Sequence, residues 1–417
     1  MNRSEAPLFR LAIAATLASS AIALSAHAQA PETSGTLRHE IFVSEPAESY
    51  LRYLQTVGKV PEHPWSSRAF SQREMRSLIP KDTALPWTDR FRDEARLIGS
   101  FEYGSISPKA TLRYNSSFAY GSNDGPVWAG RGLTAATQFG FYAGWGPVSL
   151  SVVPLVFSAQ NQSFDIVPTG RPGDAAYGNP DFGGIDRPQR FGNSAYSQID
   201  PGQSTLRIDL PFVTVGASTA NQAWGPGQEF PILLGNNAAG FPHIFAGSSE
   251  PINIGIGKLQ ARAFWGELFQ SDYSPVTGAA KFISRAEPGT KRFATGLIVV
   301  GQPRGLPGLE IGGARFFHSI WPNSGIPRSY LTKAFQGFLK KRLPRTVSKT
   351  HGSLVATVSE SPTTSSFPFL CDGCFHIAAS SFMQNTAATT IAMISAISFR
   401  SQITRERIRL ARGRFSR

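Results

Sequence analysis

The stretch Leu206-Arg207-Ile208-Asp209-Leu210-Pro211-Phe212 puts four apolar residues on one side of an extended chain, with Arg207 and Asp209 on the other. A period of two is the signature of a β-strand with two unlike faces, because successive side chains point to opposite sides of the pleat. Working outward, Val148, Leu150 and Val152 alternate with Ser149 and Ser151. Downstream, Ile252, Ile254 and Ile256 run in phase, Gly257 marks an expected bulge, and Leu259, Ala261, Ala263 and Trp265 continue against Lys258, Gln260 and Arg262. Similar runs cover residues 110–120, 133–142, 293–300 and 309–317, separated by Gly, Asn, Asp and Pro clusters. Many are long enough to cross a bilayer as tilted strands, which takes about 9–11 residues.

Composition agrees with an all-β reading. The 417 residues are 17% charged and 11% aromatic with 40 Gly and 30 Pro, which argues against a helical bundle or coiled coil. The formal charge of +13 is unevenly placed: from Lys333 on there are 13 Lys and Arg against Glu360, Asp372 and Glu406, leaving 28 basic and 25 acidic residues in the first 332. The body is therefore near balance, and a basic nucleic-acid-binding domain is not indicated.

The N-terminus reads as an export signal. Arg3 and Arg10 precede an apolar run from Leu11 to Leu24, and Ala26-His27-Ala28 supplies a cleavage site after Ala28, giving a signal peptide over residues 1–28. No later segment is apolar enough for a membrane-spanning helix, so insertion in a membrane would use strands. Residues 36–97 carry three expected helices: one capped by Ser44 with Ala47, Tyr50, Leu51 and Leu54 on one face, one opened by the capping box Ser71-Gln72-Arg73-Glu74 and stopped by Pro80, and one capped by Thr88 and running to about Leu97.

From Ile98 on, the choice lies between a transmembrane barrel, apolar outside and polar inside, and a soluble sandwich with its faces reversed. Export with only two cysteines favours the barrel, since small secreted domains lean on disulfides. Tyr114, Phe118, Tyr120, Phe139, Phe141, Tyr142 and Trp145 crowd strand ends as interfacial girdles would. Residues 161–202 and 219–250 are too long for tight turns, as expected of the extracellular loops of such a barrel.

The second of these long stretches contains Ala223-Trp224-Gly225-Pro226-Gly227, then Pro231-Ile232-Leu233-Leu234-Gly235-Asn236-Asn237-Ala238, then Phe241-Pro242-His243. It resembles the signature of the capsule-assembly Wzi family, and the resemblance extends from about Leu37 to Phe335-Gln336-Gly337-Phe338-Leu339. It implies an outer-membrane antiparallel β-barrel of about eighteen strands over residues 98–340, incomplete here, with a periplasmic helical region over residues 36–97. The implied role is to assemble or retain capsular or other surface polysaccharide, as a monomer whose partners are that polysaccharide and outer-membrane lipid. Trp224, Asn236, Asn237 and His243 are the candidate polysaccharide-binding residues, because aromatic faces stack on pyranose rings and amides pair with hydroxyls. The competing reading is that these residues fold the loop.

Beyond Lys340 the alternation and the resemblance stop together. Reading the same codons two bases later permits, from the Pro362/Thr363 junction to Ser398, a string that alternates as strands and resembles the family's closing hairpins; Met383-Gln384 then forces Ala, and Met393-Ile394 forces Asp. A frameshift within residues 340–355 is the expectation, making 341–417 an out-of-frame tail. Cys371-Asp372-Gly373-Cys374 then loses its meaning as a redox or zinc motif, which would need four ligands where only His376 is near. No cofactor or metal is expected, and no nucleic-acid partner, since an exported chain does not meet one. The chain has no G-x-S-x-G, H-E-x-x-H or P-loop lysine motif, and Gly255-Ile256-Gly257 lacks the third glycine of a dinucleotide fingerprint. The expectation is that the protein is not an enzyme. A general diffusion porin is the alternative, followed by a secreted glycan-active enzyme using Glu229, Glu267 or Asp272.

Overall fold

A computed structural model describes residues 36–79, 91–93, 95–178, 188–269, 271, 291–306, 308–321, 325–335, 364–366 and 369–371. The export signal with Ala28, the expected helix stop at Pro80, the expected cap at Thr88 and most of the tail lie outside the described residues. The protein is mostly β. One antiparallel sheet is built from β1 (Phe101–Asn115), β2 (Gly132–Trp145), β3 (Val148–Val152), β4 (Leu155–Ala159), β5 (Tyr196–Asp200), β6 (Thr205–Asp209), β7 (Val213–Ser218), β8 (His243–Ser248), β9 (Gly257–Phe269), β10 (Lys291–Pro303) and β11 (Ile311–Ile320), with shorter pieces at its margins.

The order is a meander. β1 pairs β2, and the far edge of β2 takes β3 and β4 in line. They are one strand interrupted at Pro154, which has no N–H to give the ladder. β5 and β6 form the next pair in line, then β7, β8, β9, β10 and β11. Because each strand reverses the last, connections alternate between the two ends of the sheet. Residues 116–131, 160–195, 219–242 and 270–290 connect strands at one end, and residues 146–147, 210–212, 249–256 and 304–310 at the other. Long connections and short turns are thus segregated. Among the described residues no pairing joins β1 to β11, so no closed barrel is present; Thr364–Ser366 and Phe369–Cys371 lie along the free edge of β11.

The faces are those of the opening stretch. Leu206 and Ile208 stay 47% and 37% exposed while Arg207, between them, is 2% exposed. Tyr114, Phe139, Phe141, Val215 and Ile244 are exposed on the same convex side, whereas Thr134, Thr214, His243 and Gln260 are buried on the concave side. The buried side also holds Tyr142, Phe157, Phe245, Phe264 and Ile298, so the departure from a soluble sheet is the second, exposed apolar face.

Residues 36–79 form a small unit with its own core of Ile41, Leu51, Leu54, Trp65, Phe70 and Met75, to which Phe91 adds. Helix α1 (Pro46–Thr56) buries the expected Ala47, Tyr50, Leu51 and Leu54. Its N-cap is Glu45 rather than Ser44, because Pro46 fits the first turn, where no N–H is needed. Helix α2 (Gln72–Leu78) has the expected capping box, with Ser71 and Glu74 exchanging side-chain and backbone hydrogen bonds. The unit is seated on the concave face of the sheet. Arg207 donates to Glu40 at 3.0 Å, Gln260 donates to Glu74 at 2.8 Å, and the Trp65 and Ser66 N–H groups donate to Glu310 at 2.9 and 2.8 Å.

Several expectations need correction. The third helix does not reach Leu97: Arg92–Asp93 pairs with Thr36–Leu37, and Arg96–Ile98 forms a hairpin with Phe101–Tyr103. Leu97 and Ile98 are exposed there, and only Phe91 packs inward, so no second helical turn had an apolar face to bury. The run Ile252–Trp265 is not one bulged strand but two strands joined by a turn, with Gly255 at φ 83° and the Ile254 N–H on the Gly257 carbonyl. Tyr142 is no girdle residue. It faces inward against His39, ring centroids 4.5 Å apart. The ends of both long stretches are strands, Tyr196–Asp200 and His243–Ser248.

Candidate functional site

The loop that carries Trp224 starts as a two-residue strand, Ala223–Trp224, pairing Ser67–Arg68 of the N-terminal unit on one side and Leu233–Leu234 on the other. The loop is thereby stitched to the unit seated below it. Arg68, 1% exposed, donates to Glu48 at 2.7 Å and to the Gly227 carbonyl at 2.6 Å, while Arg52 donates to the Pro226 carbonyl at 3.2 Å. Trp224 is wholly buried among Phe245, Phe264, Ile298 and Val300, with the Phe264 ring centroid at 5.3 Å. Room for the indole comes from Gly296, where a Cβ would stand 2.7 Å from the Trp224 ring.

His243 belongs to the same packing. The Trp224 indole N–H donates to Gln222 Oε1 at 3.2 Å, which leaves the Gln222 amide nitrogen to donate to His243 Nε2 at 2.7 Å. His243 Nδ1 then donates to the Phe241 carbonyl at 2.7 Å. A carbonyl can only accept, so the imidazole is the neutral Nδ1–H tautomer. Trp224 and His243 are therefore enclosed, and neither offers a ring face to a sugar. Their sequence pattern of aromatic, amide and glycine serves a junction between loop, sheet and N-terminal unit.

Asn236 and Asn237 stand elsewhere, at the far end of the loop, where they meet the connection between β1 and β2. Asn237 Oδ1 accepts from the Asn123 N–H at 3.0 Å, Asn236 Nδ2 donates to the Asn123 carbonyl at 2.7 Å, and the Asn236 carbonyl accepts from the Gly125 N–H at 2.8 Å. The four candidate residues thus divide into a buried pair and a second pair at the far end of the loop, Asn236 half-buried and Asn237 exposed.

Asn236 lines a pocket of ≈ 140 Å³ enclosed by the turn Phe42–Glu45, the inner faces of β1 and β2, and residues 123–127. The alternation of the strands supplies its polar floor: Lys109, Thr111 and Arg113 from β1 lie opposite Gln138, Ala136 and Thr134 of β2. Two of its polar atoms have no hydrogen-bond partner, Asn236 Oδ1 and Thr134 Oγ1. Its charges are largely paired. Arg113 forms a two-bond ion pair with Asp124, made possible by Gly121, whose absent Cβ would collide with both groups, and Glu45 pairs with Arg38 at 2.9 Å. Of the four candidates only Asn236 lines this pocket; Lys109 and Thr134 were hidden from the sequence because the strand pattern fixes a face, not the loop that roofs it.

Charge in the seated unit is tuned by its surroundings. Burial would raise the Glu74 carboxyl, but His63, the Ser71 N–H and Arg207 outweigh it and hold the group below the usual glutamate range. His63 Nε2 stands 3.5 Å from Glu74 Oε1, an ion-pair distance rather than a close hydrogen bond. Burial pushes His39 below the usual histidine value, with Glu102 opposing and Arg76 adding. Among the described residues no three metal-ligating side chains come together, and no helix is long and apolar enough to cross a membrane. In comparisons with known proteins, no family model, characterised protein or solved structure matches this chain.

Proposed function

We propose that this chain is an outer-membrane β-barrel protein of the capsule-assembly Wzi type, which retains capsular or surface polysaccharide at the cell surface and is not an enzyme. The observation that carries the proposal is the exposed apolar face: Tyr114, Phe141, Leu206, Ile208, Val215 and Ile244 lie exposed on the side of the sheet away from the N-terminal unit, while Arg207, Thr214 and Gln260 are buried beneath that unit. In water such a face would aggregate, whereas in hydrocarbon it is the face a spanning strand presents. Long connections at one end and short turns at the other support the same reading, as does the expectation of an export signal from the N-terminal sequence. The seated N-terminal unit favours a plugged barrel over a diffusion porin, because Glu40, Glu74 and Glu310 fasten it to the concave face that would line a channel.

The tail after residue 340 is proposed to be out of frame. Backbone groups left unpaired at a sheet edge in lipid cost several kcal/mol each, so a barrel needs its closing strands. The test compares the 417-residue chain with a version whose reading frame is restored. The restored chain should fractionate with outer membrane, resist urea and carbonate extraction, and migrate as a heat-modifiable band, retaining polysaccharide without conducting in planar bilayers. The chain in its present frame should insert poorly. Recovery of the restored chain as a soluble periplasmic monomer would sink the barrel, steady conductance would favour the porin, and equal insertion of both chains would remove the frameshift's importance.

A further inference from the structure

We propose that the pocket floored by β1 and β2 binds a single acidic sugar residue, with its carboxylate on Lys109 and its hydroxyls on Thr134 and Asn236. The proposal rests on the polysaccharide reading above and names the chemical class that the site selects. Thr134 is 3% exposed and lines the pocket, yet its Oγ1 has no partner, and the same holds for Asn236 Oδ1 at the rim. Buried polar atoms are almost always satisfied, by protein, water or ligand, so these two are the atoms of the cavity open to a ligand's donors. Both atoms can accept, and hydroxyl groups are the donors that fit them.

Charge then selects among hydroxylated ligands. Arg113 is matched by Asp124 and Glu45 by Arg38, whereas Lys109 has no ion pair among the described residues. With Arg38, from outside the lining, set against Glu45, the exposed Lys109 is the one lining charge without an ion pair among the described residues, and a sugar bearing one carboxylate supplies its counter-charge. The spacing fits. Lys109 lies opposite Gln138 and Arg113 opposite Thr134, so two steps of i to i+2 separate the lysine from the threonine along the strands, about 13 Å. One pyranose ring and its carboxylate fit within that span. The cavity volume of ≈ 140 Å³ also suits one ring rather than an oligosaccharide.

The experiment uses the mature full chain purified in detergent, with galacturonic acid and galactose as probes and ligand-observed NMR as the readout. Galacturonic acid should bind at least about tenfold more tightly than galactose, and the difference should collapse at about 0.5 M salt, where the Debye length falls to about 4 Å. Lys109→Ala should bring galacturonic acid down to the galactose level, while Lys109→Arg keeps the preference. Thr134→Val, which preserves shape, should weaken both sugars together. An unchanged circular-dichroism spectrum and protease-digestion pattern in each variant shows that the fold around the pocket is kept. Equal binding of the two sugars, no binding of either, or indifference to Lys109→Ala overturns the proposal. Cell-associated polysaccharide, measured on the same variants, separates the two readings: retention without binding of either sugar removes the pocket and leaves the function, and Lys109-dependent binding without retention does the opposite.

Discussion

Replacing Trp224 with Ala should remove folded protein rather than sugar affinity. The indole is fully buried, its ring packs on Phe264, and its N–H anchors the Gln222–His243 chain. Truncating a buried Trp to Ala costs about 3–5 kcal/mol, and at 1.4 kcal/mol per factor of ten that is a hundredfold to a few thousandfold in the folding equilibrium. Against a total of about 5–15 kcal/mol, the loss is a large share of the margin. Trp224→Phe keeps most of the packing and gives up the hydrogen bond to Gln222, so about 1–2 kcal/mol is expected. The reciprocal change, Gly296→Ala, places a methyl 2.7 Å from the same ring and should cost about 1–3 kcal/mol by overpacking. The assay, made on the frame-restored chain, is the heat-modifiable fraction on a cold gel, paired with cell-associated polysaccharide expressed per folded molecule. The expected pattern is a folded fraction that falls modestly in the Phe variant and steeply in the Ala variant, with retention per folded molecule unchanged. A normal folded fraction with retention lost would refute the packing account and return Trp224 to the sugar site.

The attachment of the N-terminal unit gives two further expectations. Arg207→Met removes the ion pair of the buried Glu40, which then keeps only the neighbouring Arg262, and should destabilise docking by up to about 3 kcal/mol, while the double change with Glu40→Gln should recover most of it; protease release of residues 36–79 reads both, and equal damage from the single and double variants would show that Arg207 acts by packing on Phe245 instead. Acid should loosen the same unit in two steps, because both shifted groups have folded values below their ordinary ones and so contribute stability that is lost as pH falls: His39 first, as pH drops below its ordinary 6.5, then Glu74 below the ordinary glutamate range. Protease sensitivity measured from about pH 7 downward should show the lower step vanish in Glu74→Gln, and an unchanged profile in that variant would remove Glu74 as the acid-sensitive group.

Much of the fold was legible because it rests on period. The alternation around Arg207 gave the strand and both of its faces, and the spacing of Ala47, Tyr50, Leu51 and Leu54 gave the buried side of α1. Alternation leaves open the sign of the faces, since Leu206 and Ile208 would read identically in a soluble sandwich. The third helix failed for a related reason: Phe91 and Leu97 suit a helical stripe, but the backbone of Arg92–Asp93 found a partner in Thr36–Leu37, a pairing across the whole N-terminal unit that no local pattern announces. The site was half legible. Of the Asn-Asn pair in the glycine-rich loop, Asn236 lines a pocket and Asn237 does not, while Trp224 and His243 carry similar chemistry into a core, and only the seating of residues 36–79 beneath the loop distinguishes these places.

That seating also explains why polar residues crowd the concave face without leaving it open to water. Glu74 closes the capping box of α2 with one oxygen and accepts from Gln260 of the sheet with the other, so the same carboxylate that starts the helix fixes where the helix sits. Glu310 does likewise for the backbone of Trp65 and Ser66, from the turn between β10 and β11. Each attachment joins the N-terminal unit to a strand or turn far along the chain, and every one of them is complete before residue 340. The seated unit and the pocket therefore depend on sequence ahead of the proposed frame change, whereas closure of the sheet depends on the residues beyond it. Restoring the frame should for that reason change insertion into membrane without changing the Lys109 preference for an acidic sugar, which separates the loss of closing strands from damage to the site. Side-by-side measurement of carbonate-resistant protein and of galacturonic acid binding in the two chains checks this, and a sugar preference that appears only in the restored chain would tie the pocket to barrel closure instead.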